Sequence, residues 1–194
     1  MRVLIACEYS GIVREAFKAK RCDAWSCDLI ETEIPGQHYK CDVRKVLNKQ
    51  WDLMIAHPPC TYLSVSGNRH FPKNPERWIK RYEAMMFVWE LMNADINKIA
   101  IENPISVITS WIRKPDQIIK PYYFGENVPK SICLWLKNLP LLKYELKDNL
   151  FGDKTSVEPE YIEYNSKKTK SGKSKYSILG KLGKGKGKER SKFF

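Results

Sequence analysis

No apolar run in this chain approaches the roughly 20 residues that a membrane span needs. The N-terminus enters Val3-Leu4-Ile5-Ala6 after a single arginine, too short a run for the apolar region of a signal peptide. Both absences predict a soluble, cytoplasmic protein. No C-x-x-C pair occurs among the six cysteines, at 7, 22, 27, 41, 60 and 133. The histidines His38, His57 and His70 show no H-x-x-x-H spacing. Zinc sites are built on such short spacings, so no metal is expected. A chain of 194 residues without a secretory signal is also a poor match for a disulfide-stapled scaffold. No internal repeat is visible.

Acidic charge is scarce in one place only. The chain carries a net +12, but Ser166 to Phe194 holds ten lysines and Arg190 against the single acid Glu189. That segment accounts for +10, and residues 1–165 are left with +2. The basicity therefore belongs to a Lys/Gly/Ser-rich tail over 166–194, expected to be disordered and attracted to nucleic-acid phosphates in a salt-sensitive, sequence-blind way. A solubilising terminus with no partner is the alternative. The remainder is 1–145, rich enough in apolar residues for one core, and a short irregular connection over 146–165.

What the chain does have is an alternation of buried strands and helices. Residues 2–6, 24–28, 39–43, 52–56 and 98–101 read as strands. Ile12 to Lys20 reads as a helix, with Ile12, Val13, Ala16 and Phe17 on one face. After Pro75, Trp78, Ile79, Tyr82, Met85, Met86, Trp89 and Met92 recur at helical spacing and predict a core-packed face. A short helix is expected over Ile105 to Trp111, and 61–74 reads as a mobile loop. Ile118-Ile119, Pro121 to Phe124 and Cys133 to Leu136 read as short antiparallel strands. The alternation predicts an α/β fold with a mostly parallel sheet flanked by helices.

Polar residues close the strands: Glu8 after the first, Asp28 after the second, Cys60 after the fourth and Glu102-Asn103 after the fifth, with Asp42 near the third. In open α/β sheets that edge is the ligand crevice. Asp28 and Asp42 suit ribose hydroxyls and an adenine amine. The first strand-to-helix turn offers backbone N–H groups to an anion. Cys60 follows His57-Pro58-Pro59, whose prolines cannot extend a hydrogen-bond ladder. Its thiol is either a nucleophile or a small buried hydrophobe. Glu102 is either an acid acting on a ring nitrogen or an end-of-strand cap, a role open to Asn103 as well.

The segments Asp52 to Cys60 and Ile101-Glu102-Asn103-Pro104 resemble, in order and spacing, the Pro-Cys and Glu-Asn motifs of the C5-cytosine DNA methyltransferases. The likeness covers roughly residues 1–145, and the chain also resembles the short bacteriophage and prophage members. It implies a Rossmann-like class I methyltransferase fold that uses S-adenosylmethionine on DNA, acting on a flipped-out or single-stranded cytosine. Cys60 would attack C6, Glu102 would protonate N3, and Asn103 would orient the active-site loop. Pro58 and Pro59 would fix the loop bearing the nucleophile, and 61–74 would close over the base. Asp28 would meet the cofactor ribose and Asp42 its adenine. Gly11 would admit the methionine moiety, with Glu8, Tyr9 and Pro58 beside the cofactor. A monomer without membrane or metal partners is expected.

The chain departs from that pattern in three places. Of the opening Phe-x-Gly-x-Gly only Gly11 has a counterpart, within Cys7-Glu8-Tyr9-Ser10-Gly11. No Gln-x-Arg-x-Arg motif is present, and Lys130 or Arg69 would have to serve. Residues 138–165 leave little room for a target-recognition domain, although Arg190 to Phe193 resembles the start of the family's last motif. These departures keep two other readings open. One is a degenerate homologue that binds nucleic acid without turnover. The other is the same chemistry on RNA or a free pyrimidine nucleotide.

Overall fold

A computed structural model of the chain describes residues 1–124, 130–144, 161–164 and 174–177. Seven strands form one sheet: β1 (Arg2–Ala6), β2 (Asp23–Asp28), β3 (His38–Lys40), β4 (Leu53–Ala56), β5 (Lys98–Pro104), β6 (Gln117–Ile119) and β7 (Ile132–Lys137). Their order is β3-β2-β1-β4-β5-β7-β6. β1 pairs parallel with β2 and β4, β2 with β3, and β4 with β5, while β7 runs antiparallel to β5. This order, with its reversal at β7, is that of the Rossmann-like class I methyltransferase fold. The direction of winding changes between β1 and β4, which opens a crevice at the carboxyl ends of the strands.

Burial on both sides explains the continuous apolar strands. Val3, Leu4, Ile5 and Ala6 have no exposed surface. Leu4, Ala6, Met54, Ala56, Ile99 and Ile101 share one core with Met85, Val88 and Leu91 of α2 (Glu76–Met92). Val3, Ile5 and Leu53 face the other way, against Val13 and Phe17 of α1 (Ile12–Ala19). Alternate residues of each strand thus feed opposite layers. Each large apolar side chain so buried contributes roughly 1.5–3 kcal/mol.

One fully buried charge shapes the region after β2. Arg14 has no exposed surface, and its guanidinium donates to Ser26 Oγ (2.8 Å), Thr32 Oγ1 (3.2 Å), the Ile34 carbonyl (2.5 Å) and Glu15 Oε1 (2.9 Å). A buried guanidinium is tolerated only when its donors are satisfied in this way. It ties the loop over 29–37 back onto α1.

The expectation for α2 is corrected. Trp78, Ile79, Tyr82, Met86 and Trp89 are exposed, and the inward row is Arg81, Met85, Val88 and Leu91. Both faces of the helix satisfy a three-four spacing. An arginine in the buried row hides it from a reading of apolar residues alone. Boundaries elsewhere shift by a few residues. Pro121–Phe124 is a 3-10 turn instead of a strand, and the short helix α3 is confined to Ile108–Trp111. A 3-10 turn over Val65–His70 stands inside the stretch expected as an irregular loop.

The chain divides into two compact units, Met1–Ile118 with Ile132–Leu141, and Ile119–Ser131 with Leu142–Phe194. In the second, Tyr123 stacks on Tyr144 with ring centroids 4.6 Å apart. There β8 (Tyr161–Tyr164) pairs antiparallel with β9 (Ser174–Ser177). These short strands fall inside the segments expected as an irregular connection and an unstructured tail. The rest of both segments lies outside the described residues.

Trp135 of β7 is 1% exposed, and its indole N–H donates to the Arg113 carbonyl at 2.9 Å. Trp135→Ala is expected to cost about 3–5 kcal/mol. The check is a urea titration showing a lower midpoint at unchanged slope. A loss below about 1 kcal/mol would mean that this indole does not anchor the antiparallel strand.

Candidate functional site

The site begins where β1 ends. Cys7 takes a left-handed φ of 60° and turns the chain sharply. A non-glycine residue there is uncommon and marks stored strain, a feature that gathers at functional sites. Glu8 follows, 6% exposed, and its Oε1 accepts from Ser10 Oγ and from the Val13 backbone N–H, both at 2.9 Å. A carboxylate at this position complements the positive end of α1. Its other oxygen, Oε2, is buried and has no partner. Gly11 has φ +78°, and a Cβ there would lie 2.7 Å from Arg14 Nη2 and 3.0 Å from Ile34 Cβ. Protein atoms therefore already fill the space that makes glycine necessary.

Beside this turn lies a cleft of about 250 Å³ between the ends of β1, β2 and β3. Asp28, Asp42, Arg44, Pro59 and Phe87 are among its walls, with Cys7 in its lining. Asp42 accepts from the Arg44 backbone N–H at 2.9 Å and from its guanidinium at 3.0 Å. The backbone hydrogen bond is the larger cause that holds its carboxyl below the usual range. The same guanidinium lies 4.7 Å from the centre of the Phe87 ring. Burial first, then the charges of Asp28 and Asp42, push the Cys7 thiol from 9.0 up to about 12. A mostly apolar lining that includes the Phe87 ring, with two carboxylates, suits a purine nucleoside.

Parallel pairing of Ala56 with Ile101 brings His57 beside Glu102 at the next step of the register. His57 Nδ1 and Glu102 Oε2 stand 3.5 Å apart, the outer limit of a hydrogen bond. The buried Asn103 amide donates to the Pro58 carbonyl at 2.8 Å. The Cys60 carbonyl accepts from the N–H groups of Leu63 and Ser64, and Ser64 bridges to Ser106 beyond β5. Cys60 thus belongs to a segment fastened to the strand that carries Glu102. Among the described residues, five of the six buried side-chain atoms left without a partner gather along the carboxyl edge of the sheet: Glu8 Oε2, His57 Nε2, Glu102 Oε1, Asn103 Oδ1 and Ser106 Oγ. Buried polar groups are otherwise paired, so such a concentration makes this edge the candidate place for solvent or a bound molecule to complete the bonding.

The segment after Cys60 is clamped from α2. Arg81, 3% exposed, donates to the Tyr62 carbonyl and to Asn68 Oδ1, both at 2.7 Å, and its guanidinium lies 3.7 Å from the centre of the Phe71 ring. Arg77 donates to the Thr61 carbonyl at 3.2 Å. Sequence reasoning assigned neither arginine a role, because each stands among aromatic residues that drew the eye.

No family model matches the chain, and no curated protein matches it in sequence. Two solved structures show a partial likeness to it. One is described as a DNA modification methyltransferase encoded within a prophage (E. coli), at 14% identity and a TM-score of 0.43 over 70% of this chain and 46% of that one. Another is the 16S rRNA methylase RmtB, at 13% identity and a TM-score of 0.35 over 70% of this chain and 55% of that one. The chain therefore matches about half the length of each.

The residues expected to act together fall into two groups. Asp28 and Asp42 share the cleft; Glu102 and Asn103 share the β4–β5 edge with the Cys60 segment. Pro59, rather than Pro58, lines the cleft, while Pro58 is buried against Asn103. Glu8 and Gly11 shape the turn at the start of α1, and the Tyr9 carbonyl accepts from Glu33 N–H at 2.8 Å. Arg69 is exposed on the 3-10 turn, and Lys130 belongs to the second unit. Cys7, Arg44, His57 and Phe87 went unassigned. Only His57, adjacent to Pro58-Pro59-Cys60, carried a readable signal. Among the described residues no three or more His, Cys, Asp or Glu side chains gather as a metal ion requires, and no helix is long and apolar enough to cross a membrane.

Because the folded chain holds the Cys7 proton up to about 12 and an unfolded thiol releases it near 9.0, this group's contribution to stability is full below pH 9 and declines as pH rises toward 12. At pH 8 Cys7 should react with iodoacetamide about a thousandfold more slowly than an unhindered thiol, since the thiolate is the reacting form and its fraction falls by that factor. Peptide mass spectrometry after timed alkylation checks this. Labelling as fast as in urea-unfolded chain contradicts the assigned environment.

Proposed function

We propose that the chain transfers a methyl group from S-adenosylmethionine to C5 of cytosine in DNA, with Cys60 as nucleophile. The observation that carries this reading is the pairing of two half-sites on one sheet edge. A nucleoside-shaped cleft with two carboxylates adjoins, through Pro59, the segment that bears Cys60. That segment is fastened beside Glu102 by the Asn103–Pro58 hydrogen bond.

The residues present fit the cofactor. Asp28 would accept from the ribose hydroxyls, and Asp42 would meet the adenine amine. The unpartnered Glu8 Oε2 would receive the ammonium or face the positive sulfur. Bound there, S-adenosylmethionine supplies an electrophilic methyl group. The protein's part is to make cytosine C5 nucleophilic. The Cys60 thiolate forms a bond to C6 while the Glu102 carboxyl delivers its proton to N3, which places electron density on C5. After C5 is methylated, loss of its proton restores the ring and breaks the bond to Cys60. His57 acts as a positioning residue that holds Glu102 through Oε2 and leaves Oε1 for the base. Arg77 and Arg81 hold the 61–71 segment in place. Lysines of 166–194 would add salt-dependent attraction to the phosphates, and a flipped-out or single-stranded base is required for the thiol to reach C6.

DNA containing 5-fluorocytosine tests the reading, because fluorine at C5 cannot leave as the proton does and the adduct persists. A covalent complex is expected that needs both S-adenosylmethionine and Cys60. Glu102→Gln should slow its formation about 10²–10⁴-fold. An adduct formed equally by Cys60→Ser removes the assigned nucleophile. Tritium release from C5-labelled RNA or free nucleotide, but not DNA, moves the chemistry to another substrate. Calorimetry with S-adenosylhomocysteine separates the halves. Asp28→Asn should weaken binding at least tenfold, and an absence of any binding favours a homologue that holds nucleic acid without turnover.

A further inference from the structure

The outward face of α2 is unlike the surface of a chain that works alone. Ile79, Tyr82, Met86 and Trp89 are 64%, 62%, 57% and 51% exposed. Trp78 extends the stripe, and Trp111 adjoins it with its ring centroid 5.3 Å from that of Tyr82. Contiguous apolar surface of this kind marks an interaction site. The spacing identifies the occupant. The four residues are symmetric about position 84: Tyr82 and Met86 stand two residues away on either side, and Ile79 and Trp89 five residues away. A stripe that reads alike in both directions is self-complementary when one helix meets a second copy of itself antiparallel.

We propose that two copies of this chain associate through α2, packed antiparallel about a two-fold axis, with Ile79 against Trp89 and Tyr82 against Met86. This replaces the monomer expected from sequence and is independent of the proposed chemistry. At roughly half of the 150–250 Å² an aromatic side chain can bury, the stripe with Trp78 and Trp111 presents on the order of 600 Å² per copy. The pair would then remove roughly 1,200 Å² from water, the lower edge of a specific interface. Charge gives nucleic acid no net attraction to α2, where Glu76, Glu83 and Glu90 balance Lys80 and the two arginines, Arg77 and Arg81, that already hold the 61–68 segment. Glu76, Glu83 and Glu90 recur every seven residues along one border of the stripe. Glu90 is held by Arg44, whereas Glu76 and Glu83 are exposed. In the two-fold pair this border meets its own copy, so added salt should strengthen association by screening it.

Sedimentation equilibrium of the full chain at micromolar concentration should give twice 22.7 kDa. Tyr82→Asp or Met86→Asp should raise the dissociation constant at least about tenfold without changing the circular dichroism. Ile79→Cys combined with Trp89→Cys should form an interchain disulfide on oxidation, beyond the wild-type background. Neither single variant should do so, because positions ten residues apart lie about 15 Å apart along a helix and a disulfide spans about 7 Å at most. Cross-linking by the single variants would mean a parallel pair and overturn the proposal. So would a monomer throughout the concentration range. Association that weakens with salt would point to the basic residues 166–194 as the occupant instead, and would equally overturn it.

Discussion

The hydrogen bond from the Asn103 amide to the Pro58 carbonyl holds the arrangement together. β4 cannot extend its pairing beyond Ala56 in the ordinary way, because Pro58 and Pro59 have no N–H to offer. Without another tie, the chain bearing Cys60 would leave the sheet at an unfixed angle. A side chain from β5 supplies the tie that the backbone lacks. It works only because β4 and β5 are parallel and in register, so that both reach the same edge at the same level. The Ser64–Ser106 bridge and the Val107 to Leu63 hydrogen bond continue this side-by-side course beyond the strands.

Electrostatics then divides the edge in two. Around the cleft, carboxylates are managed by neighbours. Asp42 is held ionised by Arg44, and one of the two Glu8 oxygens at the head of α1 is spent on a helix N–H. Along β4 and β5 the polar atoms are buried and only half used. Leaving a buried acceptor or donor unmade costs about 1–3 kcal/mol. Several such atoms together are a sizeable fraction of a domain's net stability.

Much of the layout was legible because its causes are local. Val3 to Ala6 and Leu53 to Ala56 are continuous apolar runs, and only a strand buried on both faces calls for them. Polar residues at or soon after such runs mark the strand ends, and so the positions of Glu8, Asp28, Cys60 and Glu102 along the sheet are readable from the sequence. What stayed hidden depends on contacts distant in sequence. Arg81 interrupts the inward row of α2, and only its distant partners, the Tyr62 carbonyl and Asn68, account for it. Phe87 and Arg44 wall the cleft from elements far apart in the chain. The outward turn of Trp78, Tyr82 and Trp89 was misread for the same reason: spacing gives a stripe, and only the neighbours say which side of it is wet.

Arg14 carries a consequence for how this sequence can change over time. Its guanidinium occupies the space beside two glycines at once. A Cβ at Gly11 would lie 2.7 Å from Nη2, and one at Gly36 would lie 2.8 Å from the same atom. The three positions cannot drift separately. Gly36 becomes free to vary only in a lineage that has already shortened residue 14, and Gly11 keeps a second restraint in its left-handed backbone. Divergent copies of this fold should therefore exchange residue 14 and residue 36 as a linked pair, in that order, with the intermediate of a long basic side chain and a substituted Gly36 selected against.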